Sequence, residues 1–284
     1  LVETLDKGGM GGKRGREKVK VIEGTADGLR SRNIAIEDNT ITSGDGFGTD
    51  YSPAGCAISF AVNSTHTRVS GLSVSRNKTV GPFISETSAR DEAAIDVGFN
   101  GAGTQFIEDV QIDGNIIAPS GTATADYANY GIIFSGPVAS SSVVQNISVS
   151  GNSVDVRALT SGNEASGQVG GISVRFPCLS SNAYAVQNVA VDGNRVVCGE
   201  GDGAPTVGNP YGISLNMTCG IRNLSASTNS IKGFWNEDAT PAPGANTRIN
   251  GSGLRLFHTF EEAQGVDGGQ VGPPANNKFY MIGF

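Results

Sequence analysis

The stretch DVQIDGNII, residues 109–117, alternates apolar and polar positions and turns on a glycine-asparagine pair. Such alternation marks an extended segment with one face buried. The pattern occurs six times: NIAIEDNTI from Asn33, GLSVSRNKTV from Gly71, DVQIDGNII from Asp109, NISVSGNSV from Asn146, NVAVDGNRVV from Asn188 and NLSASTNSI from Asn223. Its asparagines, Asn39, Asn77, Asn115, Asn152, Asn194 and Asn229, follow one another at intervals of 38, 38, 37, 42 and 35 residues. A unit of this size cannot bury its inner face alone, so successive units must stack.

A second, shorter segment lies between the copies: CAISF from Cys56, AAIDVGF from Ala93, YGIIFSG from Tyr130, GGISVRF from Gly170, YGISLNM from Tyr211 and SGLRLFH from Ser252. Each unit is therefore predicted to hold two half-buried strands that stack on the next unit at about 4.8 Å. A leucine-rich repeat has similar apolar spacing, but its period is only about 20–29 residues. The chain has ten leucines, and Ile and Val fill the core positions, which suits strands. The expected fold is all-β, a right-handed parallel β-helix solenoid of six recognisable coils with long loops.

Composition agrees. Glycine accounts for 41 of 284 residues with no Gly-x-y period, which excludes collagen and disfavours helical bundles. No apolar run reaches the roughly 20 residues of a membrane-spanning helix. The net charge of −7 disfavours nucleic acid as a partner. Four cysteines and two histidines without a CxxC or Cys/His cluster argue against zinc or haem. Residues 1–32 carry eight Lys/Arg against five Asp/Glu, whereas the remainder carries 12 against 22. Residues 1–20 thus read as a flexible basic Gly-rich arm or the remnant of a preceding region, and residues 21–284 as a single β-helix domain, truncated at its ends. The initial Leu1 suggests a processed chain or a piece of a longer one.

The repeats resemble the right-handed parallel β-helix superfamily of pectate lyases, polygalacturonases and bacteriophage tailspikes, over residues 30–260. The stacked strand pairs and the asparagine at the bend carry the resemblance, for example Val149, Asn152 and Val154. It implies extracellular or virion-surface work on a polysaccharide or cell-surface glycan, by cleavage or binding, and for the tailspike branch a homotrimer. The polygalacturonase Gly-His-Gly and paired-Asp motifs are missing, and His66 and His258 have no comparable setting. The fold alone specifies no chemistry.

The six asparagines are expected to form an amide ladder through the stack, with the glycines of Asp113-Gly114-Asn115 and Asp192-Gly193-Asn194 supplying positive φ at the bend. This ladder places Asn77 where a glycan cannot reach it, although the residue begins a sequon. Cys178 and Cys219 hold equivalent places in adjacent coils, within disulfide range, and read either as a bridge or as two stacked thiols.

Two outward columns of the short strand are candidates for chemistry: Ser59, Asp96, Ile133, Ser173, Ser214, Arg255 and Ala61, Gly98, Ser135, Arg175, Asn216, Phe257. Asp96 and Arg175 stand about 10 Å apart, two rungs, with Ser135, Ser173 and Asn216 as neighbours able to bind sugar hydroxyls. There Arg175 would pair an acidic sugar and Asp96 would act as acid or base, with Asp91 and Glu92 adding carboxylates beside it. Asp113 belongs to a further column, Glu37, Ser75, Asp113, Ser150, Asp192, Ser227, in which carboxylates recur every second rung, a spacing that suits a glycosidic pair. No cofactor is expected, except calcium if the chain is a lyase. Alternatives to glycan recognition with depolymerisation are a non-catalytic structural or adhesive solenoid and a secreted polysaccharide lyase.

Overall fold

The computed structural model describes residues 19–24, 29–42, 56–62, 66–82, 92–101, 103–123, 128–137, 142–161, 168–177, 185–197, 211–217, 221–232 and 252–258. These build three parallel sheets around one axis. Sheet A stacks Val19–Gly24, Ile58–Val62, Glu92–Phe99, Ala128–Ser135, Gln168–Phe176, Tyr211–Met217 and Ser252–His258. Sheet B stacks Leu29–Glu37, Thr67–Ser75, Gln105–Asp113, Val143–Ser150, Ala185–Ala190 and Ile221–Ser225, and sheet C stacks Thr40–Thr42, Lys78–Pro82, Ile116–Ala123, Ser153–Asp155, Arg195–Val197 and Ser230–Lys232. The chain visits A, B and C in turn and returns to A one rung further on. The result is a right-handed β-solenoid.

Each coil thus has three strands where the sequence predicts two. DVQIDGNII itself divides: Gln105–Asp113 ends in sheet B, and Ile116–Ala123 starts sheet C. The corner is Gly114, with φ of 63°, and Gly151 and Gly193 repeat it at 64° and 66°. Asp38, Arg76 and Thr228 hold the same left-handed conformation at 58°, 55° and 55°, each at a cost of about 1 kcal/mol that the stacked corner outweighs.

The asparagine after each corner is bonded along the whole stack. Nδ2 of Asn39 donates to Oδ1 of Asn77 at 2.9 Å, and Asn77, Asn115, Asn152 and Asn194 pass the bond on to Asn229 at 2.9–3.0 Å. The same Oδ1 atoms accept the backbone N–H of the preceding asparagine, and the second Nδ2 proton goes to a backbone carbonyl such as Ile112 O or Val149 O. Asn77, Asn115, Asn152 and Asn194 are buried, so four amides that would be costly in a core are satisfied by one another.

A second column of left-handed residues crosses the middle of sheet B: Asn33, Gly71, Asp109, Asn146, Asn188 and Asn223, with φ from 53° to 72°. Each adds one residue to its strand, so Val69 and Leu72 both face inward while Arg68, Ser70 and Ser73 do not. Asn, Asp and Gly are the types that tolerate this conformation. Their side chains form an exposed ladder, in which Nδ2 of Asn146, Asn188 and Asn223 each donates to Oδ1 of the residue one coil earlier at 2.9 Å.

The core is a stack of Ile, Val, Leu and Phe between the sheets. Its rings zigzag. Phe60, Phe99, Phe134 and Phe176 contact in series with centroids 5.6–5.9 Å apart. Register puts Phe60, Val97, Phe134 and Val174 in one column of sheet A and Val62, Phe99 and Phe176 in the next, so each coil offers one ring and the following coil offers it one column over.

Candidate functional site

Register in sheet A aligns Ser59, Asp96, Ile133, Ser173, Ser214 and Arg255 on successive rungs, and beside them Ala61, Gly98, Ser135, Arg175, Asn216 and Phe257. Asp96 and Arg175 therefore lie two rungs apart on one face, separated by the rung that carries Ile133 and Ser135.

A glycine decides what surrounds them. A Cβ on Gly131 would fall 2.2 Å from Val154 Cγ1, and one on Gly171 would fall 2.1 Å from Val196 Cγ1. Sheet A passes sheet C too closely there for any side chain, and in the coil before, Ala94 is the small residue at this place. Alternation breaks at this close approach: Gly131 and Ile132 both face the core, whereas Tyr130 and Ile133 group with Ala93 in a separate apolar cluster. Tyr130 lies across the backbone of Gly170, where a Cβ would meet its ring at 2.2 Å.

Arg175 completes this cluster. Its guanidinium carbon lies 5.1 Å from the centroid of the Tyr130 ring, and its Nε donates to Ser173 Oγ at 2.8 Å. The ring face and the hydroxyl together hold the guanidinium in place, and its remaining N–H groups suit pairing with a carboxylate or sulfate. On the other flank the Cys56 thiol faces Asp96 Oδ2 at 3.9 Å. Asp96, Ser135, Arg175 and Asn216 are half-buried. Tyr130, Ile133, Ser173 and Ser214 are nearly closed off, at 1–6% exposure, so the site is a strip of four polar side chains over a covered floor. Oδ1 of Asn216 is buried without a hydrogen-bond donor.

Other candidates separate from this strip. Glu92 is buried at 2% exposure and is in register with Asn129, which in turn aligns with Val169 of the core; the break at Ala94 places it on the opposite side of its strand from Asp96. Asp91, Cys178 and Cys219 lie outside the described residues, as does most of the basic arm.

In sheet B, Glu37, Ser75, Asp113 and Ser150 are in register as the sequence pattern spaces them. Two of that column's carboxylates serve their own corner. Ser73 Oγ donates to Glu37 Oε1 at 2.6 Å, and Arg76 reaches both Glu37 and Asp38 at 2.8 Å. The Ser73 hydroxyl and then the Arg76 guanidinium hold the Glu37 carboxyl below its ordinary range, and Arg76 does the same for Asp38. Asp192 Oδ1 accepts from Ser225 Oγ, Ser227 N and Ser227 Oγ. Asp113 is exposed. On sheet C, Asp155 and Arg157 pair with each other in an open hollow of about 350 Å³. His66 is exposed ahead of Thr67–Ser75, and His258 ends Ser252–His258. Among the described residues no three His, Cys, Asp or Glu side chains gather as metal ligands, and no helix is long and apolar enough to cross a membrane.

Sequence reasoning missed Tyr130. Its signal is the Tyr-Gly-Ile that recurs at Tyr211: where glycine breaks the alternation, the preceding aromatic turns outward. No protein-family model matches this chain, and no curated protein or solved structure is significantly similar to it.

Proposed function

We propose that this β-solenoid is a polysaccharide-recognising scaffold whose outer sheet A face binds a glycan along the Asp96 to Arg175 strip. The observation that carries the reading is the Arg175 guanidinium, stacked on Tyr130 and bonded to Ser173, two rungs from Asp96. A guanidinium held this way recognises a planar anion with little further loss of entropy, as on an acidic sugar. Ser135 and Asn216 flank it with hydroxyl and amide groups for sugar hydroxyls. A rigid stack of rungs presents such groups in line, which suits a linear polymer. Surface display as a bacteriophage-type spike, with a homotrimeric assembly, belongs to the same reading.

The test is a glycan array followed by titration calorimetry on any hit. Arg175→Ala and Tyr130→Leu should each weaken binding at least tenfold, since a charge-assisted pair contributes about 1.5–3 kcal/mol. A blank array, or a hit indifferent to both changes, would overturn the reading. Depolymerisation is the finer claim. Asp96→Asn should abolish the release of reducing ends while leaving binding intact, and chelator-sensitive formation of an unsaturated product would move the assignment to a lyase. The structural or adhesive alternative is favoured by one observation, that Glu37 and Asp192 are consumed by their own corners.

A further inference from the structure

The exposed face of sheet B carries a second strip that none of these candidates includes. At the start of its strands, register aligns Arg30, Arg68, Phe106 and Val143 on four consecutive rungs. In the adjoining column Arg32, Ser70, Glu108 and Gln145 follow in the same order. Phe106 is 46% exposed although every neighbour along its strand that faces inward is buried. Arg30 and Arg32 are exposed, and neither is paired with an acidic side chain among the described residues. Arg68 donates to Glu108 Oε1 at 2.7 Å, and Gln145 donates to the other oxygen of the same carboxylate at 3.1 Å.

That arrangement is unusual on this molecule. The chain as a whole carries a net charge of −7, yet this strip gathers three guanidinium groups against one carboxylate that is already engaged. It also sets an aromatic ring in line with two of them. Pyranose rings stack their C–H faces on exposed aromatics, and the acidic groups of a uronate or sulfated sugar pair with arginine. The rungs are about 4.8 Å apart, close to the advance of one sugar along an extended chain. A glycan lying across the strands would thus meet Arg30, Arg68 and Phe106 with successive residues.

We infer that the Arg30–Arg68–Phe106 column of sheet B is a binding site for an anionic polysaccharide, separate from the sheet A strip. The ligand class is a linear glycan bearing carboxylate or sulfate. Phe106 provides the stacking platform, Arg30 and Arg68 the charge, and Glu108 holds Arg68 in place. The site stands whether or not sheet A binds a glycan.

The experiment measures binding of polygalacturonate, dextran sulfate and neutral dextran to the full chain by calorimetry, over a salt series. The variants are Phe106→Ala and Arg30→Gln with Arg68→Gln, each made in the parent chain and in an Arg175→Ala background that removes the sheet A contribution. All of these side chains are partly or largely exposed, and unchanged thermal unfolding confirms that each variant is folded. Polygalacturonate, dextran sulfate or both should bind and neutral dextran should not, with a strong salt dependence. In the Arg175→Ala background, where the sheet A strip is disabled, binding should persist, and Phe106→Ala and the double arginine variant should each weaken it tenfold or more. Loss of all anionic-polymer binding in Arg175→Ala alone would assign the anion to sheet A and overturn the sheet B site. No binding of either anionic polymer, or binding indifferent to Phe106, would also overturn it. So would salt-sensitive self-association that the sheet B variants abolish, which would make the strip a contact between copies of the chain.

Discussion

Asn152 illustrates what a single buried residue does in this fold. Its Oδ1 accepts from both the backbone and the side chain of Asn115, and its Nδ2 donates to Ile112 O and Asn194 Oδ1. Removing it strands both donors of Asn115 and takes a donor from Ile112 O and from Asn194 Oδ1. Asn152→Ala is therefore expected to destabilise the protein by about 2–4 kcal/mol in urea unfolding, since each buried group left unpaired costs roughly 1–3 kcal/mol. Asn146 occupies the exposed ladder six residues earlier, where water replaces a lost partner. Asn146→Gly should be nearly neutral, because glycine tolerates φ of 59°, whereas Asn146→Val should cost about 1–2 kcal/mol. Equal losses for Asn152→Ala and Asn146→Gly would contradict the division into a structural and a surface ladder. The buried ladder was legible because all six of its positions are asparagine. The exposed one was not, because Gly71 and Asp109 interrupt it and only backbone conformation unites Gly, Asp and Asn.

Sheet corners depend on how neighbouring strands exchange charge. At the first corner Arg76 spans Glu37 and Asp38, and both carboxyls lie below their ordinary range. A carboxylate whose pKa is lower folded than unfolded adds stability above the unfolded value and loses it as pH falls through the folded one. Thermal midpoints should therefore fall as pH drops from about 5 to 3. Arg76→Gln should start lower at neutral pH and converge with the parent in acid, and salt should narrow the gap because the pairs are exposed. A gap that persists unchanged at low pH would assign the effect of Arg76 to its backbone conformation instead. This corner also explains why three strands were read as two. Alternation continues in phase through Ser75 and resumes at Thr79, and only the left-handed residue between them reveals a change of sheet. Gly131 raises the same difficulty: its one-residue shift of phase turns Tyr130 and Ile133 outward together, and the matching shift at Ala94 sets Glu92 on the side of its strand opposite Asp96.

Across the molecule, period and inward pattern were enough to derive the stack, because every coil repeats them. The candidate strips were legible only as columns, since partners such as Arg175 and Tyr130 come from different coils and their contact depends on a break in phase. One feature with a period of two coils tests how far the solenoid behaves as a sum of nearest neighbours. Phenylalanine alternates between two adjacent columns, so each ring stacks diagonally on the next. Excising residues 116–152 joins Asn115 to Ser153, keeps the amide ladder and removes one coil. That excision would set Phe99 directly against Phe176 and Val97 against Val174, crowding one column and leaving a gap in the other. Overpacking of this kind costs about 1–3 kcal/mol, before the gap is counted. Excising residues 78–152 joins Asn77 to Ser153 through the same kind of junction and removes two coils, after which Phe60 faces Val174 and Phe176 faces Val62. The zigzag then survives. The shorter protein, despite its smaller core, should unfold at a higher temperature in circular dichroism than the one with a single coil removed. If stability instead falls steadily with the number of coils lost, the rings act as independent apolar bulk, and their alternation has no energetic role.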